Sequence, residues 1–87
     1  MHVILFYDVE VERVQKIHKL MKRYLTWVQN SVFEGEMTEG KMEEMKSELR
    51  KKMNPGLDSV IIYKLGDLRY TEREIVGVEK NTTDNLL

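Results

Sequence analysis

The chain has 87 residues, no cysteine, and 14 basic against 15 acidic side chains, for a net charge of −1. A domain this short buries only about 60% of the surface of its unfolded chain and gains from a partner, and it does so here without the disulfides that small secreted domains rely on. The near-balanced charge excludes nucleic-acid binding by bulk electrostatics, so any such surface must be local, and no apolar run approaches the roughly 20 residues that cross a bilayer.

In chain order, residues 3–7 (VILFY) form a continuous apolar run bounded by polar residues, which suits a strand covered on both faces. The start MHVILFYDVEVERV lacks the basic flank and cleavage site of a signal peptide, so the expected compartment is the cytoplasm. Over residues 12–25, Val14, Ile17, Met21 and Tyr24 recur at helical spacing, widened by Leu20 and Leu25. Glu10 and Glu12 at its start and Lys22 and Arg23 at its end match the helix dipole. The stretch TWVQNSVFEGEM is rich in aromatic and β-branched residues and reads as an extended segment broken in two, with Gly35 expected at a bulge or bend.

Thr38 is placed to cap a second helix whose core face is Met42, Met45, Leu49 and Met53, and the NPG at residues 54–56 stops it, because proline cannot continue the ladder. LDSVIIYKL is a second near-continuous apolar strand, Gly66 and Asp67 a turn, and residues 73–79 (REIVGVE) a short last strand. Residues 80–87 read as a polar tail ending in two leucines, in which NTT at 81–83 is a chance glycosylation match. The single domain is therefore expected over residues 1–79.

The order strand, helix, extended pair, helix, strand fits an α+β ferredoxin-like plait, βαββαβ with an extra C-terminal strand, in which two helices cover one face of an antiparallel sheet. Because the strands at residues 3–7 and 60–63 are apolar on both faces, the second face should be covered too, most simply by a second copy packed sheet to sheet.

Asp8 ends the first strand on the same face as Ile4 and Phe6. Two readings follow. Its oxygen caps helix one or the preceding turn, or it is a metal ligand or general base at the sheet's edge. One carboxylate is too few for a metal, but a two-fold dimer brings two together, and Mg²⁺ accepts a couple of carboxylates plus water and phosphate oxygens.

YDV after an apolar strand, Arg13 one helical turn later, VQNSVFEG mid-chain and DSVIIY near the end, in that order, resemble the small CRISPR-associated adaptation proteins, the family of CRISPR-associated protein 2, from residue 3 to about residue 79. The resemblance implies a ferredoxin-like homodimer whose last strand, residues 73–79, crosses to the partner's sheet. It further implies a spacer between integrase subunits that capture DNA and insert it into a CRISPR array. Many members are assigned a nuclease activity on RNA or DNA that depends on Mg²⁺ or Mn²⁺. The metal ligand and catalytic group is then Asp8, with one ion per dimer. Arg13 is implied near the metal or a phosphate, and Phe33 in the core or at the dimer face beside the site. A toxin-like endoribonuclease of the same fold is the alternative. Trp27 and Asn30 stand where some relatives carry basic residues.

From residue 13 to residue 23 the helix has no acidic side chain, whereas Arg13, Lys16, Lys19, Lys22 and Arg23 line its outward side. Helix two mixes both signs and can pair internally, Glu48 with Lys52 for instance. A one-signed helix suits phosphates, and doubled by a dimer it could hold duplex DNA or single-stranded RNA by salt-sensitive backbone contacts. The alternative for the stripe is an ordinary solvated face. His2 and His18 do not form a metal pair by spacing. Tyr7 reads as core with a polar tip, Trp27 and Phe33 as packing residues, and Asp58 as a turn or edge residue.

Overall fold

The computed structural model describes residues 1–66 and 71–80. They form β1 (His2–Asp8), α1 (Val11–Lys22), β2 (Thr26–Gln29), β3 (Val32–Glu36), α2 (Glu39–Lys52), β4 (Ser59–Leu65) and β5 (Thr71–Gly77). The strands build one antiparallel sheet in the order β2-β3-β1-β4-β5. The two most apolar strands, β1 and β4, are therefore interior neighbours, which is why their sequences run apolar on both faces.

Alternation sorts the side chains of β1. Val3, Leu5 and Tyr7 are buried beneath the helices with Ile17, Leu20 and Met21 of α1 and Met42, Met45 and Leu49 of α2. Ile4 and Phe6 point the other way and are only partly covered. Thr38 caps α2 as expected, its Oγ1 accepting from the Lys41 amide at 3.1 Å. α1 ends at Lys22, earlier than the periodicity suggests. Tyr24 and Leu25 continue the buried stripe from outside the helix, their amides donating to the Met21 carbonyl at 3.0 and 2.8 Å.

The extended segment after α1 is a hairpin turning at Asn30, whose φ of 45° is one that asparagine tolerates well. Its bulge falls between Trp27 and Gln29, not at Gly35. Gly35 instead permits close approach: a Cβ there would lie 3.2 Å from Leu25 Cδ2. The expected Glu48–Lys52 pair also gives way to another, since Glu48 meets Lys51 at 3.6 Å.

β5 pairs with β4 of its own chain in an unbroken register from Ser59↔Gly77 to Leu65↔Thr71, where the resemblance implied a crossing to a partner. Ion pairs on the helix-covered side hold it there. Glu74 meets Lys46 of α2 at 3.1 Å and Lys64 of β4 at 3.3 Å, and Lys64 meets Glu72 at 3.0 Å. Gly77 ends the strand with φ 95°, and a Cβ there would fall 2.2 Å from the Asp58 carbonyl oxygen, so only glycine fits. Asp67 of the expected turn and residues 81–87 of the expected tail lie outside the described residues.

The face of the sheet away from the helices carries Ile4, Phe6, Ile61, Tyr63 and Ile75, with Phe6 and Tyr63 edge to face at 5.9 Å between ring centres. Near its β3 side, His2 meets Glu36 at 3.0 Å and Glu34 at 3.3 Å. Among the described residues no helix is long and apolar enough to cross a membrane.

Candidate nucleic-acid interface and carboxylate site

The end of β1 carries Asp8 on the open face, in line with Ile4 and Phe6, as alternation requires. Its side chain is 58% exposed. It does not cap α1. The N-cap is Glu10, without any side-chain capping bond, and the free Glu10 amide donates instead to Asp58 Oδ1 at 2.9 Å. The neighbours of Asp8 are Ser59, its register partner on β4, and Lys80, whose Nζ lies 3.6 Å from Asp8 Oδ1 and donates to the Asp8 carbonyl at 3.3 Å. The Ser59 hydroxyl is buried and has no hydrogen-bond partner among the described residues.

Behind this edge lies Asp58, which corrects the expectation of a turn or edge residue. It has no exposed surface. Its carboxylate takes the amides of Glu10 and Asn54, the latter at 2.7 Å, and the Arg13 guanidinium through Nε at 2.5 Å and an Nη at 3.0 Å. Its carbonyl accepts from the Val78 amide at 2.9 Å. One residue thus ties together the start of α1, the exit of α2, the entry of β4 and the end of β5. The Arg13 hydrogen bonds hold the Asp58 carboxyl well below the usual carboxylate range, helped by the Asn54 and Glu10 amides and opposed by burial.

The same geometry corrects Arg13, whose side chain is only 17% exposed. It turns inward from the stripe to clamp Asp58. A carboxylate next to a proline-glycine turn reads as surface. The available signal was that Asp58 immediately precedes a strand apolar on both faces, where a charge needs a partner.

Phe33 is likewise resolved in favour of the core. It is fully buried on the helix-covered side, 6.1 Å from the Tyr7 ring and 5.0 Å from the His18 ring, and so cannot belong to the open face. Tyr7 is core with a polar tip, its hydroxyl 3.1 Å from His18 Nδ1. Trp27 lies at the sheet's margin, half exposed, its indole N–H donating to the Asn30 carbonyl at 2.9 Å. Phe33→Leu should cost about 1–2 kcal/mol in urea unfolding and leave self-association unchanged by sedimentation. A shift in association without a loss of stability would return Phe33 to an interface.

The rest of the stripe stays open. Lys16, Lys19 and Arg23 of α1 line a shallow groove with Lys52 of α2, floored by Leu20, and Lys16, Lys19 and Lys22 line its neighbour with Gln15 and His18. None of these five cations forms an ion pair among the described residues, in contrast to Lys41, Lys46, Lys51 and Lys64. Lys52 joins the stripe because Glu48 is engaged by Lys51, a contribution the sequence spacing concealed.

For a metal, the donors at the carboxylate end are hard oxygens, the type Mg²⁺ selects. One chain offers one exposed carboxylate and one hydroxyl. Among the described residues no group of three or more His, Cys, Asp or Glu side chains is placed to hold an ion. The donor set fits the ion only when a second Asp8 is supplied across a dimer.

Residues 1–73 match the family model described as CRISPR associated protein Cas2. The chain belongs to the Cas2 family. It is 45% identical to a CRISPR-associated endoribonuclease Cas2 of Dictyoglomus turgidum and 46% identical to one of Pyrococcus furiosus, in each case over all 87 residues and the full relative. Among solved structures, a Cas2 crystal structure with 45% identity superposes at a TM-score of 0.69 over 92% of this chain and 95% of that one. Cas2 of Streptococcus pyogenes at pH 6.5 superposes at 0.69, with 35% identity over 76% and 87%. The five-stranded α+β fold is thus the fold of Cas2.

Proposed function

We propose that the chain is a nucleic-acid-holding subunit of CRISPR adaptation, acting as a homodimer that grips a duplex by its phosphates and carries the integrase at its ends. The observation that carries this is the groove of Lys16, Lys19, Lys22, Arg23 and Lys52, five cations without a described counter-ion on the side opposite the open sheet face. Cations held without partners suit phosphates, whose bound counter-ions they release. The open face is supported as the dimer surface by its row of Ile4, Phe6, Ile61, Tyr63 and Ile75. Two copies packed there leave both basic grooves outward.

Reversing Lys16, Lys19 and Arg23 to glutamate should weaken duplex binding for every sequence alike and reduce the slope of log K against log salt by about three units, roughly 0.9 per lost phosphate contact. Fluorescence anisotropy between low and moderate salt reads both quantities. An unaltered affinity and slope would make the groove an ordinary solvated face.

A second reading is supported by the endoribonuclease names of the relatives and by the exposure of Asp8 on the open face. In it, Asp8 from each copy holds one Mg²⁺ or Mn²⁺. The ion supplies charge stabilisation and an activated water for phosphodiester hydrolysis. Asp8 orients the attacking oxygen, and the Asp58–Arg13 clamp keeps the end of the sheet rigid behind it. RNA is the substrate this reading takes from the relatives.

A further inference from the structure

The Asp8 end holds a contact that neither reading uses. Lys80 Nζ sits 3.6 Å from Asp8 Oδ1 and donates to the Asp8 carbonyl, so the ammonium engages both the side chain and the backbone of one residue. Lys80 follows β5, while Asp8 ends β1, and β4 lies between them in the sheet. Ser59 is the β4 residue in register with both Asp8 and Gly77. To reach Asp8, the side chain of Lys80 must cross the end of β4 at Ser59.

The crossing leaves a mark. Ser59 is 2% exposed and its hydroxyl is unpaired among the described residues, whereas a buried hydroxyl ordinarily finds a partner. The arrangement with Lys80 on Asp8 therefore covers a polar group without satisfying it. The other charges nearby are committed elsewhere: Arg13 to Asp58, and Glu79 to Arg73 at 3.6 Å. The backbone turns into this crossing at Gly77, where the positive φ and the Val78 amide on the Asp58 carbonyl aim residues 78–80 back across the sheet.

We propose that Lys80 is a built-in counter-ion that closes the Asp8 site, so that a divalent cation must displace it to bind. The inference rests on Asp8 being the metal ligand. A monovalent ammonium and a divalent ion cannot occupy the same carboxylate oxygens. Displacing Lys80 uncovers Ser59, whose hydroxyl then gains a water or phosphate oxygen as its partner. The residue thereby sets the cation concentration at which the site fills, and high salt, which screens the Lys80 contact, makes the difference smaller.

Mn²⁺ binding to the purified full chain, followed by electron paramagnetic resonance of the free ion and by the metal-induced rise in melting temperature, tests this without any cleavage assay. Lys80→Gln should tighten Mn²⁺ binding about fivefold or more at low salt, since a unit charge about 4 Å away is worth about a factor of five in water. Lys80→Arg, which keeps the charge, should bind as wild type does. Ser59→Ala should leave the melting temperature without metal unchanged or higher, because it removes a hydroxyl that has no partner in the closed chain. Unchanged or weaker Mn²⁺ binding in Lys80→Gln, with binding still abolished by Asp8→Asn, overturns the counter-ion role alone. A marked drop in the metal-free melting temperature of Ser59→Ala overturns it as well. Wild-type Mn²⁺ binding in Asp8→Asn instead overturns the assignment of the ligand.

Discussion

Asp58→Ala should cost the folded chain about 3–5 kcal/mol, the range for removing one member of a buried pair and stranding the other. Arg13 is left without its partner, and the amides of Glu10 and Asn54 lose their acceptor in the same step. Asp58→Asn keeps the shape and an acceptor oxygen and should fall between alanine and wild type. Because both partners act in one network, the double variant with Arg13→Gln should be less damaging than the two single losses added together. Urea unfolding at pH 7 measures all four proteins, and a loss below about 1 kcal/mol for alanine would sink the clamp.

The same carboxylate gives the stability its acid limb. Its folded-state pKa lies below its unfolded one, so its contribution is complete above the unfolded value of about 3.9 and is lost as pH falls from there toward the folded value. Wild type should lose melting temperature steeply below about pH 4, and Asp58→Asn should show a shallower slope there. Glu74, whose carboxyl is lowered by Lys46 and Lys64 against its burial, adds a limb of the same sign. His2 works in the opposite sense. Glu34 and Glu36 raise its pKa, so its small contribution is present below about pH 6.5 and fades as pH rises through its folded value.

What was legible in the sequence follows periodicity and local chemistry. α2 could be read almost residue by residue, because the Thr38 cap, the Met42, Met45 and Leu49 stripe and the proline stop all act within a few residues of one another. The placement of Asp8 on the open face followed from strand alternation alone. Asp58 was hidden because its partners come from distant segments: Arg13 is 45 residues away and the Glu10 amide 48. Arg13 was misassigned for the same reason. Helical spacing places it on the stripe with Lys16 and Lys19, and only the tertiary position of Asp58 turns it inward. Lys52 was concealed by an equally good local pairing with Glu48, which the rotamers resolve in favour of Lys51. Phe33 was confined to the core by strand register, which pairs it with Leu5 on the helix-covered side.

The carboxylate at the end of β1 separates holder from enzyme. Asp8→Asn keeps the shape of the side chain and removes its charge. Metal-dependent cleavage of labelled RNA should fall by at least the hundredfold typical of a lost catalytic group, and the rise in melting temperature on adding Mg²⁺ or Mn²⁺ should disappear, since a ligand stabilises only the fold that binds it. Without metal, Asp8→Asn should melt close to wild type, because Asp8 is exposed and caps nothing; its only described ion pair, with Lys80, is a surface contact of the kind worth about 0–1 kcal/mol. Asp8→Ala should behave the same way in every arm. A capping carboxylate would separate the two variants, sparing asparagine and costing alanine about 1 kcal/mol. Duplex binding should survive in both, because the basic groove lies on the helix side of the sheet while Asp8 lies on the open face. Cleavage that persists in Asp8→Asn would falsify Asp8 as the catalytic group while leaving the holding role intact, and loss of duplex binding in the same variant would join the two surfaces into one site.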